Sequence, residues 1–472
     1  MQERSNEDVT MQVAQWAATF RLEDAPEVVV ERMKALVLDF LRVVAVGARL
    51  PWSRAARKVA MALGGNAQSS LVLCGTRLDP ARAAFVNGAY AHACDLDDTH
   101  VGSMHHAGAS ILPAVLAMAE QEDTDGRLFL EAAIIGYEIS LRLGLATQPA
   151  LFERGFMATP TCGAMGAALA VSKILNFSAV DMAGALGAAG AYAGGLAQFY
   201  HSGGVSKRLN GARGAESGVM SALLTQEGIW GPRDILEGEA GFFKAFSGKA
   251  DPSKLINNLG KTFRLMEVST KVHAGAGRLQ ATVDAGLSLG AQHALVAGNI
   301  VDVEVGVPRV VQGRLTQVAP PDLQSAQLSI PFSLAMALTI GHARGAQAAL
   351  RREDYETALA NPLVKQLSLR TRCVWDAEVE AGTNTEEVPT RVTIQLSDGR
   401  QWEQKIAHPR GSPHRSMSWQ EISLLFKDTV NDALSANTQQ KVIDLVASLD
   451  KGAHPRQIMR SFVASSGWYD AQ

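Results

Sequence analysis

The hydrophobic pattern of this chain changes period near residue 266, and that change limits the folds open to it. Before it, apolar residues recur at three- and four-residue spacing in one segment after another. "APEVVVERMKALVLDFLRVVAVGA" (25–48) is the clearest case, with the spacing of a single buried helical stripe. "PARAAFVNGAYAHACDL" (80–96) opens on a proline where a helix start favours one. "ILPAVLAMAEQ", "GRLFLEAAIIGYEISLRLGLA" and "GAMGAALAVSKIL" continue the series. Beyond 266, "GNIVDVEVGVP", "TRCVWDAEVEA" and "TRVTIQLSDGRQWEQKI" are β-rich, and the last predicts a hairpin turning at Ser397-Asp398-Gly399. Helical stretches such as "IPFSLAMALTIG" and "REDYETALAN" lie between them, and from "SMSWQEISLLFKDTV" onward the chain reads as helix again. The expected fold is mainly α. A large all-helical domain is built from both chain ends (1–266 plus 409–472), and a smaller α+β domain is inserted at 267–408. "SAVDMAGALGAAGAYAGGLAQ" (178–198), almost all small residues, is expected to be a central helix that its neighbours approach closely.

The bulk properties remove several function classes. A chain of 472 residues is longer than one core usually covers. Its 47% apolar and 19% charged residues are the balance of a globular protein. A net charge of −3 gives no electrostatic reason to expect nucleic acid or an anionic membrane as partner. Cys74, Cys94, Cys162 and Cys373 are far apart and form no CxxC, so neither disulfides nor a thiolate zinc site is expected and a reducing cytoplasm fits. The charged N-terminus "MQERSNEDVT" does not read as a secretory signal, and the Gly- and Ala-rich "FMATPTCGAMGAALAVSKILNF" reads as a buried helix rather than a membrane span. No GxGxxG, P-loop, HExxH or GxSxG stands in a fitting context, which leaves nucleotide and triad chemistry unsupported.

The densest chemistry lies in "DLDDTHVGSMHHAG" (95–108). Phe85, Gly88, His92 and Asp95 fall at helical spacing on one face of the preceding helix. A loop from Asp97 to Ala107 follows, and the next helix is expected near Gly108. His105 and His106 thus precede a helix N-terminus, where backbone N–H groups and the dipole favour an anion. Three readings compete. A metal site needs several of Asp97, Asp98, His100, His105 and His106 to converge, and nothing in their spacing enforces that. Helix capping by Asp97 or Asp98 beside solvent-exposed histidines needs no function at all. The third is proton transfer, with His105 as the acid or base and Asp95 orienting it and raising its pKa.

The stretch "NGAYAHACDLDDTH...HHAGASILPAVLAMAE" resembles the MmgE/PrpD family, whose pattern is Asn-Gly, His, Asp-x-Asp-Asp and then a His-Pro-Gly-like segment leading into a helix. "GYEISLRLG", "RGFMATPTCGAMGAALAVSKILNFS", "SKRLNGARGAESG", "KVHAGAGRLQATVDA", "LSIPFSLAMAL" and "HPRGSPHRSMSWQEI" resemble further family segments in order, over roughly residues 10–430. The resemblance implies an enzyme that acts on a small di- or tricarboxylate without a cofactor or metal. It also implies a helical domain, an α+β lid, a site between them and a homodimer. Among the family's activities are 2-methylcitrate dehydratase, cis-aconitate decarboxylase and iminodisuccinate epimerase. Carried over residue by residue, the catalytic positions are Asp95, His105 and Lys207, and the substrate-binding ones Thr99 and Lys271. His106 stands where the family has proline. Met157 stands where it has a substrate-site histidine, and Ala276 where the decarboxylases have a second one. His273 lies two residues after Lys271 and is the candidate substitute; Arg278 and Gln280 are further polar candidates. The leading expectation is a lyase, a dehydratase or decarboxylase working by proton transfer beside a carboxylate. The alternatives are an epimerase or isomerase and a non-catalytic metabolite binder.

Overall fold

The computed structural model describes residues 8–202, 204–293, 297–465 and 467–468. The fold is mainly α, with a single small four-stranded sheet beside a two-residue strand pair among the described residues. The chain divides into two compact units. The first holds the chain up to Ala93, Asp97–Val268 and the chain from Ser418 onward; the second holds Ser269–Met417 together with the tripeptide Cys94–Leu96. The sequence set its inserted domain at 267–408, and nothing in the pattern pointed to the tripeptide.

The first unit is built on α1 (Glu27–Gly47), α2 (Pro80–Ala91), α3 (Ala107–Gln121), α4 (Gly126–Thr147), α5 (Ala158–Ile174), α6 (Ala179–Tyr192) and α7 (Asn210–Gln226). Asp79 caps α2 by accepting the Arg82 N–H, and Asp125 caps α4 by accepting that of Leu128, each satisfying one of the donors a helix start leaves open. α7 packs on α5 and α2, α4 on α5, and α3 on α2. The contacts run through small residues. A Cβ on Gly88 would lie 2.8 Å from Ala212 Cα, and one on Gly166 would lie 2.6 Å from the Gly136 carbonyl oxygen. Backbones meet directly there, so α2 and α3, and the loop joining them, are held by helices that cannot move apart without opening voids.

One expectation changes here. α2 stops at Ala91, not near Leu96. The His92 side chain is drawn to Asp97, and the chain then turns through Asp95, whose φ of +57° is a left-handed conformation that aspartate tolerates better than most residues. Asp95 is therefore not on the helical face of Phe85 and Gly88. α6 is close-packed as expected: it packs on α5, on α7 and on the helix Val9–Thr19, with Met182–Gly187 buried. Its glycines meet a loop: Gly184 faces the Trp230 side chain and Gly187 the Pro232 backbone. Val180 and Tyr192 on the same helix are exposed.

In the second unit the strands are β1 (Ile300–Val307), β2 (Thr371–Trp375), β3 (Thr390–Leu396) and β4 (Gln401–Ile406), in the order β2-β1-β3-β4. β1 and β2 are parallel, with Val303 opposite Thr371, and their crossover contains the helices Ile330–Arg344, Arg352–Ala360 and Pro362–Leu369. β3 and β4 form the hairpin expected at 397–399, with Ile394 opposite Trp402 and Gly399 at φ +86° in the turn. Val392, Ile394 and Leu396 alternate into a core shared with the helices Gln280–His293 and Ile330–Arg344. "TRCVWDAEVEA" is only half strand. Asp376 accepts the N–H groups of Glu378 and Val379 and starts a helix over Ala377–Gly382. Among the described residues no helix is long and apolar enough to cross a membrane.

Candidate active site

In the first unit the loop between α2 and α3 folds inward. His100 and His105 are bridged by backbone hydrogen bonds in both directions, 2.9 Å and 3.3 Å, across a turn with Met104 at φ +52°. His100 is fully buried and structural. Its Nδ1 accepts the Ser103 N–H at 3.0 Å, which leaves Nε2–H to donate to Glu267 Oε2 at 3.0 Å. Asp98 is the cap that one sequence reading foresaw. It accepts the Gly108 N–H at the start of α3 and the Tyr137 hydroxyl at 2.8 Å. Burial nevertheless pushes its carboxyl up to about 7, against those two hydrogen bonds, and pushes the Tyr137 phenol well above its usual value. The histidines of this loop are not solvent-exposed. His100 and His105 have no accessible surface and His106 is largely covered.

His105 is the unusual member. Both ring nitrogens are buried, and neither has a hydrogen-bond partner. Burial, followed by the neighbouring imidazoles of His106, His100 and His92, holds its pKa well below the usual histidine value, so the ring is neutral. The expectation that Asp95 orients it and raises its pKa is corrected on both counts. No hydrogen bond orients the imidazole, and burial shifts its pKa downward.

Around it His92, Asp97 and His106 converge. Asp97 Oδ2 lies 2.6 Å from His92 Nδ1 and 3.5 Å from His106 Nδ1, and the His92 and His106 rings are 5.0 Å apart. The His106 Nδ1–H also donates to the Asp98 carbonyl at 2.8 Å, and its backbone N–H donates to Thr159 Oγ1 at the start of α5. Asp39, Asp97, Asp98 and Tyr137 line a cavity of about 10 Å³, at the lower limit of what a single water fills. Thr99 is buried within the same loop. Lys207 is buried in the 3₁₀ turn Ser206–Leu209 that leads into α7.

Met157 precedes α5 and packs with Ala197 and Phe199, with Phe152 against them. The sequence placed it among substrate-binding residues. The structure makes it part of an apolar cluster, with no polar function to offer.

The second unit brings together two residues that the sequence assigned to separate tasks. Lys271 Nζ donates to the Asp95 carbonyl at 2.7 Å and lies 3.1 Å from Asp95 Oδ1, both side chains being out of solvent. His273 does not stand in for a substrate histidine. Its Nδ1 accepts the Leu350 N–H, and its Nε2 faces Asp284 Oδ1 at 3.0 Å, where Arg410 also bonds. Gln280 clamps the His273 backbone from both sides, accepting its N–H and donating to its carbonyl. Both ring nitrogens of His273 are thus committed to structure.

His92, Asp97, Asp98 and Tyr137 hold the first-unit cluster together; the sequence offered Asp97 and Asp98 only as metal or cap candidates and gave His92 and Tyr137 no role. Five-residue spacing of His92 and Asp97 across a helix end was the available signal. Tyr137, in a helix that also carries Glu131, Glu138 and Arg142, gave none. Residues 11–255 match the MmgE/PrpD N-terminal domain and residues 273–451 the MmgE/PrpD C-terminal domain. A cis-aconitate decarboxylase-like protein of Aspergillus oryzae is 26% identical over 471 residues, 96% of each chain. A cis-aconitate decarboxylase of Aspergillus terreus is 27% identical over 464 residues, 94% of this chain and 93% of its own. The human cis-aconitate decarboxylase is 31% identical over 234 residues, 48% of each. With both family domains matched in order along nearly its whole length, the chain belongs to the MmgE/PrpD family, as a divergent member.

Proposed function

We propose that this chain is a lyase that removes water or carbon dioxide from a small di- or tricarboxylate, using its own side chains and no cofactor. The observation that carries this reading is His105, a neutral, buried imidazole with both ring nitrogens unpartnered. Taking a proton from a carbon beside a carboxylate requires a base with a lone pair at neutral pH, and a desolvated neutral histidine is such a base. The charge that develops on the substrate needs fixed cations, and buried lysines supply them without reorganisation. Lys207, buried in the same unit as His105, fills that role. The relatives act, by their names, on cis-aconitate, which makes it the first substrate to test. Met157 in an apolar cluster argues for a substrate with fewer charged groups or more apolar bulk than that.

The test is a panel of di- and tricarboxylates incubated with the purified chain in D₂O and read by NMR and mass spectrometry. Loss of carbon dioxide or water from one member supports a lyase. Deuterium incorporation with all carbons and oxygens retained would replace this reading with an epimerase. Saturable binding without either change would replace it with a metabolite binder. We also propose that the chain acts as a homodimer. Val180, Tyr192, Ile229 and Trp230 are exposed around α6 and the loop packed on it, an apolar area of the kind that marks interfaces. A monomeric mass at micromolar concentration would contradict it.

A further inference from the structure

We propose that His92, held by Asp97, is the proton donor of the site, the acid that complements His105 as base. This rests on the proposed lyase reading and deepens it by giving the reaction its second proton-transfer group. His92 ends α2, and its side chain has no accessible surface. Its Nδ1 lies 2.6 Å from Asp97 Oδ2, so the Nδ1 hydrogen is donated to that carboxylate. Asp97 is thereby committed to one side of the ring, and the cluster with His106 is a hydrogen-bonded chain rather than a ligand set for an ion. On the other side Nε2 is buried and has no hydrogen-bond partner. An unpaired buried ring nitrogen is costly to keep. A carboxylate on Nδ1 and an open Nε2 are what a proton-transferring imidazole needs: the carboxylate fixes the tautomer and balances the charge when Nε2 is protonated.

The two imidazoles differ in their countercharge. No carboxylate bonds to His105, and burial beside other rings keeps it uncharged. His92 has Asp97. Two groups of one type whose environments favour opposite protonation states take opposite roles. In a dehydration, His105 takes the proton from the carbon beside the carboxylate and the C–H electron pair becomes the double bond. The departing hydroxide takes the proton from His92 Nε2 and leaves as water. In a decarboxylation, the same Nε2 proton goes to the carbon that keeps the electron pair when carbon dioxide leaves. Solvent reloads His92 after either reaction and, after a dehydration, removes the proton from His105. The titratable groups around His92 are His105 and the partly exposed His106, whose ring lies 5.0 Å away. Behind Asp97, across the small cavity, stand Asp98 and Asp39 of α1, the latter paired with Arg42.

The experiment uses the full chain and the polycarboxylate that it turns over. kcat and kcat/KM are followed over about pH 5–10 for wild type, His92→Gln, Asp97→Asn and His105→Gln, with unfolding temperatures recorded alongside. His92→Gln should lower kcat by about 10²–10⁴-fold with KM within a few-fold of wild type. Asp97→Asn keeps the shape and an acceptor for Nδ1–H but removes the charge. Its alkaline limb, where the donor loses its proton, should therefore move to lower pH; a packing role for the pair would leave the limb in place. If His92→Gln does not fold, the Asp97→Asn limb decides. Wild-type turnover in His92→Gln, or an unmoved limb in Asp97→Asn, would overturn the proposal, and a loss in His105→Gln would then leave the lyase reading standing. Wild-type turnover in both histidine variants, or no turnover of any panel member by the wild-type chain, would remove the reading and the inference together.

Discussion

Single atoms decide much of what the α2–α3 loop does. Gly108 sits where a Cβ would come within 2.7 Å of the Tyr137 hydroxyl and 2.9 Å of Asp98 Oδ1. Gly108→Ala should therefore cost about 1–3 kcal/mol of overpacking, visible as a lower urea midpoint; an unchanged midpoint would mean that the Asp98–Tyr137 cap is softer than its distances suggest. Met157 gives the opposite kind of prediction. Met157→Leu preserves an apolar side chain of similar volume and should cost less than about 1.5 kcal/mol. Met157→His buries a polar ring among Ala197, Phe199 and Phe152 and should cost more, about 1–3 kcal/mol without a partner. If Met157→His were as stable as Met157→Leu, a polar partner would have to be at hand. Spacing alone separated these residues poorly. Asp98 proved to be the helix cap that any aspartate before a helix suggests. The burial of His105 depends on α5 and on the turn at Met104, and neither is readable from the fourteen residues around it.

At the level of elements, the helices were legible because their apolar stripes repeat, and the hairpin at 397–399 because its turn residues and alternation agree. The end of α2 was not legible. What stops it is a side-chain bond from His92 to Asp97 and a left-handed residue at Asp95, both set by tertiary contacts rather than by propensity. The consequence is a tripeptide, Cys94–Leu96, that packs with the second unit: the Cys94 carbonyl accepts from Gln327, and Asp95 holds Lys271. Removing one partner of a buried ion pair takes away a countercharge the other was buried against. Lys271→Met should therefore destabilise the chain by about 3–5 kcal/mol, and adding Asp95→Asn should recover much of that loss. A double variant no more stable than the single one, measured by chemical denaturation, would show that the pair is not the reason for the burial.

For the whole molecule, composition and period were enough to give a mainly α chain, whereas the partners of buried histidines were not legible. His273 shows the effect on stability. Burial lowers its pKa below the usual 6.5. Burial works the other way on Asp284, but the His273 hydrogen bond and Arg410 hold its carboxyl well below 3.8. In both cases the unfolded chain binds the proton more readily. Their contributions are complete above pH 6.5 and 3.8 respectively and decline as the pH falls below those values. The unfolding temperature should thus fall on acidification from pH 6.5. His273→Gln, which still accepts from Leu350 and donates to Asp284, should make that decline shallower between pH 6.5 and 4; an identical slope would remove His273 from the acid response. The central claim concerns His105, and one comparison tests it most directly: kcat/KM on the responsive polycarboxylate for wild type and His105→Gln, with unfolding temperatures recorded alongside. A loss of about 10²–10⁴-fold with the fold retained is the result expected of a general acid or base. Turnover within a few-fold of wild type would contradict the assignment.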